Sequence, residues 1–324
     1  MQQAGPLLYV LLAWWFSTGA ILWLVGLPRS THPFTMGGAT VLLAVALCGV
    51  AATADDTRVT GAYLAFTAAL MVWAWQEVAF LLGYVTGPRR TPCPSDARRW
   101  QRAARAFEVV LFHELALLVL FAAVLALTWR QPNQVAAWTF GALWCMRQSS
   151  KLNVFLGVRN LNESFLPPHI AYLHSYFRQR PSNRLFPVSI LLGTAATAAV
   201  WQAALQTGIG RFDETARLLT AALLTLGVLE HWLLVLPLPS EWLWKWGLRA
   251  REAQAGTAPA VAQGDSLRQD GTVLVPAAEL SHAHLSDAEE HSRRGARAPE
   301  GSGRVAPPQL EQRSHRLPGS SAAA

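Results

Sequence analysis

The sequence predicts an all-α, polytopic membrane helix bundle of about seven transmembrane helices, N-out/C-in, with a disordered cytoplasmic tail. Three observations predict it. Apolar residues make up 52% of the 324 residues and charged residues only 15%, where soluble domains carry about 25% charged. The imbalance is local: residues 1–248 are strongly apolar and read as a transmembrane domain, while 249–324 is polar and small. Within the first part, seven runs reach the ~20 residues that cross ~30 Å of hydrocarbon.

The first run, 7–27, lies between Pro6 and Pro28, and proline is tolerated at helix starts and closes helix ends. Met1–Gly5 carries no Lys or Arg, so the run lacks the basic flank of a secretory signal and is read as a retained helix. The second and third runs are 35–54 and 60–82; the fourth, 106–128, follows an arginine-rich loop. The fifth, 134–157, is interrupted by Arg147 and Lys151, and if it failed to cross, the topology after it would invert. In the long loop that follows, Pro168 and the residues to Phe177 predict a short interfacial helix. The sixth run, 186–207, contains the small residues Gly193–Ala199, which suit close helix packing. The seventh, 216–236, is closed by Pro237. Trp129, Trp138, Trp242, Trp244 and Trp246 are placed at helix ends, where amphipathic rings prefer the membrane interface. From 249 onward the composition cannot bury enough surface to offset ordering entropy.

Loop charges orient the bundle. Regions after odd-numbered runs, including the C-terminal segment, hold twenty-one Lys and Arg residues; the other side holds Arg58, Arg130 and Arg211. Basic residues accumulate on the cytoplasmic side, which gives seven spans, N-out and C-in. The net charge of +7 is thereby explained without nucleic acid. Three cysteines, Cys48, Cys93 and Cys145, form no disulfide or zinc pattern.

Several ionisable residues lie inside the runs: Glu77, His113, Glu114, Arg147, Lys151, Glu230 and His231. At ~1.5 Å rise per residue, all fall roughly 7–15 Å inside the cytoplasmic boundary. Four helices thus bring opposite charges to one level. Intramembrane charges are costly and usually pair, so Glu77, Glu114, Arg147, Lys151 and Glu230 are expected to form one buried network. Arg147 and Lys151, four apart, share a helix face. A ligand, pigment or proton site is the competing use of the same groups. His113-Glu114 opens like a zinc-protease motif, but Leu117 stands where the second histidine is required, so no metal site is assigned. A retinal protein is excluded because 216–236 holds no lysine. No catalytic residues are assigned and the chain is expected not to be an enzyme.

Several motifs together resemble one family. They are Trp14-Trp15-Phe16-Ser17-Thr18-Gly19, Thr86-Gly87-Pro88-Arg89-Arg90 and His113-Glu114-Leu115-Ala116. Pro132-Asn133-Gln134-Val135, Met146-Arg147, Ser150-Lys151-Leu152-Asn153 and Leu229-Glu230-His231-Trp232 continue the match. They resemble the PuhE family, photosynthetic complex assembly proteins of purple bacteria, over about residues 7–248. The resemblance implies a non-enzymatic factor in the bacterial inner (intracytoplasmic) membrane. Its implied partners are photosynthetic reaction-centre and light-harvesting subunits, with membrane lipid around it and no nucleic acid. It implies no catalytic residues. The alternatives are a pigment-handling protein, in which His113 or His231 offers neutral imidazole to a bacteriochlorophyll magnesium, and a proton-coupled transporter working through the buried Glu residues.

Overall fold

The computed structural model describes residues 3–161, 165–238 and 240–249. Among these, seven long α-helices follow one another: α1 Ala4–Val25, α2 His32–Ala52, α3 Val59–Leu81, α4 Arg99–Thr128, α5 Val135–Leu156, α6 Phe186–Ala204 and α7 Arg211–Leu233. Six of them are long and apolar enough to cross a membrane; α5 is the one that does not qualify. The chain is a multi-pass membrane protein built as a helical bundle. The expected tail at 249–324 lies outside the described residues apart from Arg249.

Local chemistry sets the helix limits. Gly210 precedes α7, and Asp213 and Glu214 occupy its first turn, where carboxylates meet the positive end of the helix dipole. That polar turn is why α7 begins at Arg211 rather than at 216. Helix α4 likewise begins seven residues before its apolar run. Its added residues are Arg, Trp, Gln and Ala, mostly good helix formers, and the Arg98 amide donates to Gln101 Oε1 at 3.1 Å to close the first turn. This extension carries about 10 Å of basic helix beyond the apolar stretch.

Helices α3 and α7 form the centre and α2 and α6 the edges. Over the most apolar window, 56% of α3 and 50% of α7 are buried, against 11% for α2 and for α6. The small residues Ala62, Ala65 and Ala69 of α3 are fully buried and let neighbouring helices approach closely. Edge helices turn large apolar side chains outward, among them Phe34 and Val41 on α2 and Leu191 and Leu192 on α6. In the Gly193–Ala199 stretch, only Gly193 and Thr197 turn inward; Gly193 faces Val228 and Met146.

Two sets of loop contacts close the two ends. At one end, Asn133 Nδ2 donates to the carbonyls of Thr53 at 2.9 Å and Asp56 at 3.0 Å, and its amide donates to Ala54 O at 3.0 Å. At the other, residues 168–176 form a 3₁₀ helix whose Ile170, Leu173 and Tyr176 are buried, the three-residue period of that helix. His169 Nε2 meets the Leu81 carbonyl at 2.9 Å, and Tyr176 donates to the Thr91 carbonyl at 3.0 Å. The expected short helix is therefore present, packed into the bundle's end.

Trp244 and Trp246 depart from the expected interfacial positions. Residues 240–249 turn back along α1, and Trp244 is 4% exposed. Its indole donates to the Trp15 carbonyl at 3.0 Å, while the Trp15 indole donates to Leu243 O at 2.8 Å. The approach needs glycine at 19: a Cβ there would lie 2.0 Å from the Trp246 ring. For Trp244, indole bonding to backbone within the protein replaces the headgroup contacts the ring would otherwise seek. Trp242 remains exposed.

Candidate functional site

The second half of α5 is polar, and its polar side chains reach four neighbouring helices. Arg147 Nη2 donates to Glu77 Oε2 on α3 at 2.9 Å. One turn later, Lys151 Nζ donates to Glu114 Oε1 on α4 at 2.7 Å, and Gln148 bonds the other Glu114 oxygen. Ser149 Oγ meets His231 Nε2 on α7 at 2.9 Å. Asn153 Nδ2 donates to Ser189 Oγ on α6 at 2.9 Å. A helix too polar to insert alone is thus satisfied from four sides, which is how polar groups are retained in hydrocarbon.

Glu230 stands apart from the bases. Its Oε1 accepts the Trp14 indole N–H from α1 at 2.6 Å. The five charged residues therefore divide into two ion pairs and one carboxylate–indole contact, rather than one ladder of pairs. All five nevertheless line the same half-open cavity, of about 860 Å³, between α1, α3, α4, α5, α7 and the 165–177 segment. Apart from the charged layer its wall is apolar, including Phe66, Trp73, Phe80 and Trp144. This is the composition of small-molecule sites: a largely apolar hollow with a few convergent polar groups.

Neither histidine lines that cavity. His231 spends both ring nitrogens: Nδ1 lies 2.8 Å from the Gly227 carbonyl, so it donates, and in the neutral ring Nε2 then accepts from Ser149. No lone pair is left for a metal. His113 packs on Phe80 at 4.5 Å between ring centroids and is 1% exposed. Its Nδ1 has no hydrogen-bond partner among the described residues, and the ring is not part of the cavity wall. His231 thus has no nitrogen to offer a bacteriochlorophyll magnesium, and His113 does not face the cavity. Among the described residues no group of three metal-ligating side chains converges.

Against known proteins, the family model for a protein of unknown function, DUF3623, matches residues 1–255. The chain belongs to the DUF3623 family. It is 41% identical over 254 residues to an uncharacterized 30.4 kDa protein in the puhA 5′ region of Rhodobacter capsulatus, covering 77% of this chain and 92% of that one. No solved structure matches. The described site of this DUF3623 chain lies wholly inside the matched region.

Three supporting residues of the DUF3623 site escaped sequence reasoning. Trp14, partner of Glu230, lies 216 positions away and carries no charge to flag it. Gly87 lets the 84–87 loop press on α4: a Cβ there would meet the Glu108 carbonyl at 1.9 Å, and beside it the Thr86 carbonyl accepts the His113 amide at 3.0 Å. Asn183 bonds the Asn153 carbonyl at 3.2 Å and the Gly157 carbonyl at 2.9 Å, closing α5. Gly87 was within reach, because Gly-Pro after an apolar run marks a turn.

Proposed function

We propose that this DUF3623 protein is a non-enzymatic factor of the bacterial inner membrane that assists assembly of the photosynthetic reaction centre and its light-harvesting partner. The observation that carries the reading is the charged layer. Glu77, Glu114, Arg147, Lys151 and Glu230 sit on one intramembrane cavity and are satisfied by pairs and hydrogen bonds. Among the described residues no cluster of metal-ligating side chains accompanies them. Two ion pairs and a carboxylate–indole contact that link five helices around a hollow suit a scaffold that receives another membrane component. The puhA 5′ setting of the 41% identical relative supports the photosynthetic context that the PuhE-like motifs imply.

The cytoplasmic end in this reading is the one that carries the 82–98, 157–185 and 234–249 segments, since the basic loops gather there. Pigment binding through His113 or His231 draws no support from their geometry. For proton coupling, two of the three acids are held by bases, and only Glu230 is without one.

The test is affinity purification of the tagged full-length chain from pigmented photosynthetic membranes. Reaction-centre and light-harvesting subunits should co-purify in stoichiometric range, and Arg147→Leu should reduce their recovery at equal bait. Recovery of the bait alone, from membranes still assembling complexes, would contradict the assignment.

A further inference from the structure

Four arginines gather near Tyr176 at the end of the bundle where the cavity lies. Arg102 and Arg105 stand three apart on α4 and share a face. Arg178 and Arg180 follow the 3₁₀ helix two apart in extended chain, so they project to the same side. That strand is pinned to the end of α5: the Val158 amide donates to Arg178 O at 3.2 Å and the Arg180 amide to Val158 O at 3.0 Å. The charges of Arg178 and Arg180 bear on Arg102, and that of Arg105 bears on Tyr176. A fifth, Arg89, is neutralised by Glu108 at 2.7 Å.

Among the described residues, no carboxylate forms an ion pair with Arg102, Arg105, Arg178 or Arg180. Yet Arg102 is 9% exposed. Its guanidinium lies 4.9 Å over the Phe155 ring and donates to the Tyr176 carbonyl. Arg105 Nη1 is buried without a hydrogen-bond partner. Arginines that only orient a chain can stay in water. Withdrawn from water, a cation needs an anion or a full set of acceptors.

Phe155 and Tyr176, which hold Arg102, are also part of the wall of the 860 Å³ cavity, beside Ala106 and Phe177. An apolar hollow and an arginine cluster, in which Arg102 is buried and Arg180 reaches solvent, thus share residues. We infer that this is a binding site for one phosphate-headed amphiphile, its head on Arg102, Arg105, Arg178 and Arg180 and its apolar chain in the cavity. Guanidinium forks match phosphate oxygens bidentately, and several of them suit a phosphate better than one carboxylate. A membrane phospholipid and a free isoprenoid phosphate share this chemistry.

Native mass spectrometry of the full-length protein in detergent tests it, with dioleoyl phosphatidylglycerol, dioleoyl phosphatidylcholine and farnesyl monophosphate as probes. One phosphatidylglycerol should bind about tenfold more tightly than phosphatidylcholine, and Arg178→Gln with Arg180→Gln should remove about that factor, the worth of a charge-assisted hydrogen bond. These two lie outside the helices, so the variant keeps the bundle; Ala106→Trp, which fills the hollow, should weaken binding independently. Farnesyl monophosphate binding in place of phosphatidylglycerol would assign the site to a free isoprenoid phosphate, and the reverse to a membrane lipid. Equal binding of the two phospholipids with no farnesyl monophosphate bound, or wild-type binding by the arginine variant, would overturn the proposal.

Discussion

Arg147 and Glu77 are joined by a 2.9 Å ion pair within the apolar span of α3. Removing one partner strands the other, and an unpaired charge at such depth costs ~2.5–3.5 kcal/mol on insertion scales. Arg147→Leu should therefore lower both accumulation and the thermal unfolding midpoint in detergent, whereas Arg29→Leu, in an exposed loop, should change neither. Adding Glu77→Gln should recover part of the loss, because a close pair is non-additive. His169 gives a second test. Burial holds its imidazole below the usual value near 6.5, helped by the charges of Arg29 and His32 and opposed by its bond to the Leu81 carbonyl. The unfolded chain thus takes up the proton first. The stabilising contribution is complete above pH 6.5 and declines as pH falls through that value toward the folded pKa. The unfolding midpoint should decline below about pH 6.5, and His169→Gln should flatten that decline. At this scale the sequence was informative about charge and uninformative about its partners. Depth alone put Glu77, Glu114, Arg147, Lys151 and Glu230 at one level, since a rise per residue converts position into level, but the pairing of Arg147 with Glu77 and of Lys151 with Glu114 came from the structure. Depth could not assign Trp14 to Glu230, because a neutral donor leaves no trace in a count of charges.

Among the elements, α5 shows most clearly what periodicity and apolarity can and cannot say. Its limits, Val135–Leu156, fall within one residue of those expected, yet by composition it does not qualify as a span. The reason is that its polar side chains are matched by α3, α4, α6 and α7, a property of the bundle and not of the helix. The 240–249 segment was misplaced for a similar reason: Trp244 looks interfacial until Gly19 on a distant helix opens a seat for the neighbouring Trp246. Asn183 links two elements. Its Nδ2 bonds carbonyls at the end of α5, while its Oδ1 accepts the Leu185 amide at 2.8 Å and the Phe186 amide at 3.1 Å at the start of α6. Asn183→Ala should cost about 1–3 kcal/mol, as lost caps and buried hydrogen bonds do, read as a lower unfolding midpoint. Asn183→Asp should keep the α6 cap and lose the α5 bonds, giving an intermediate value.

Over the whole molecule, the two-ended arrangement of loops follows from alternating helices, and it gives the charge bias a structural address. A fluorescent reporter fused after Leu248 should fluoresce and an alkaline phosphatase fused there should be inactive; phosphatase activity would reverse the orientation. The family match ends at residue 255, so deletion of 256–324 should leave insertion and complex accumulation near wild type. Fold class and span positions were readable because hydrocarbon imposes length and apolarity on each helix in turn. The cavity was not, because its wall is assembled from α1, α3, α4, α5 and α7, and the spacing between distant helices has no sequence period. The central claim, that the charged cavity serves assembly of photosynthetic complexes, is tested most directly in a strain lacking this gene. The measurement is near-infrared absorbance of its membranes, complemented with wild-type or Arg147→Leu protein at matched levels. The expected result is loss of reaction-centre and light-harvesting absorbance, restored by the wild type and not by Arg147→Leu; full absorbance in the uncomplemented strain would contradict the account.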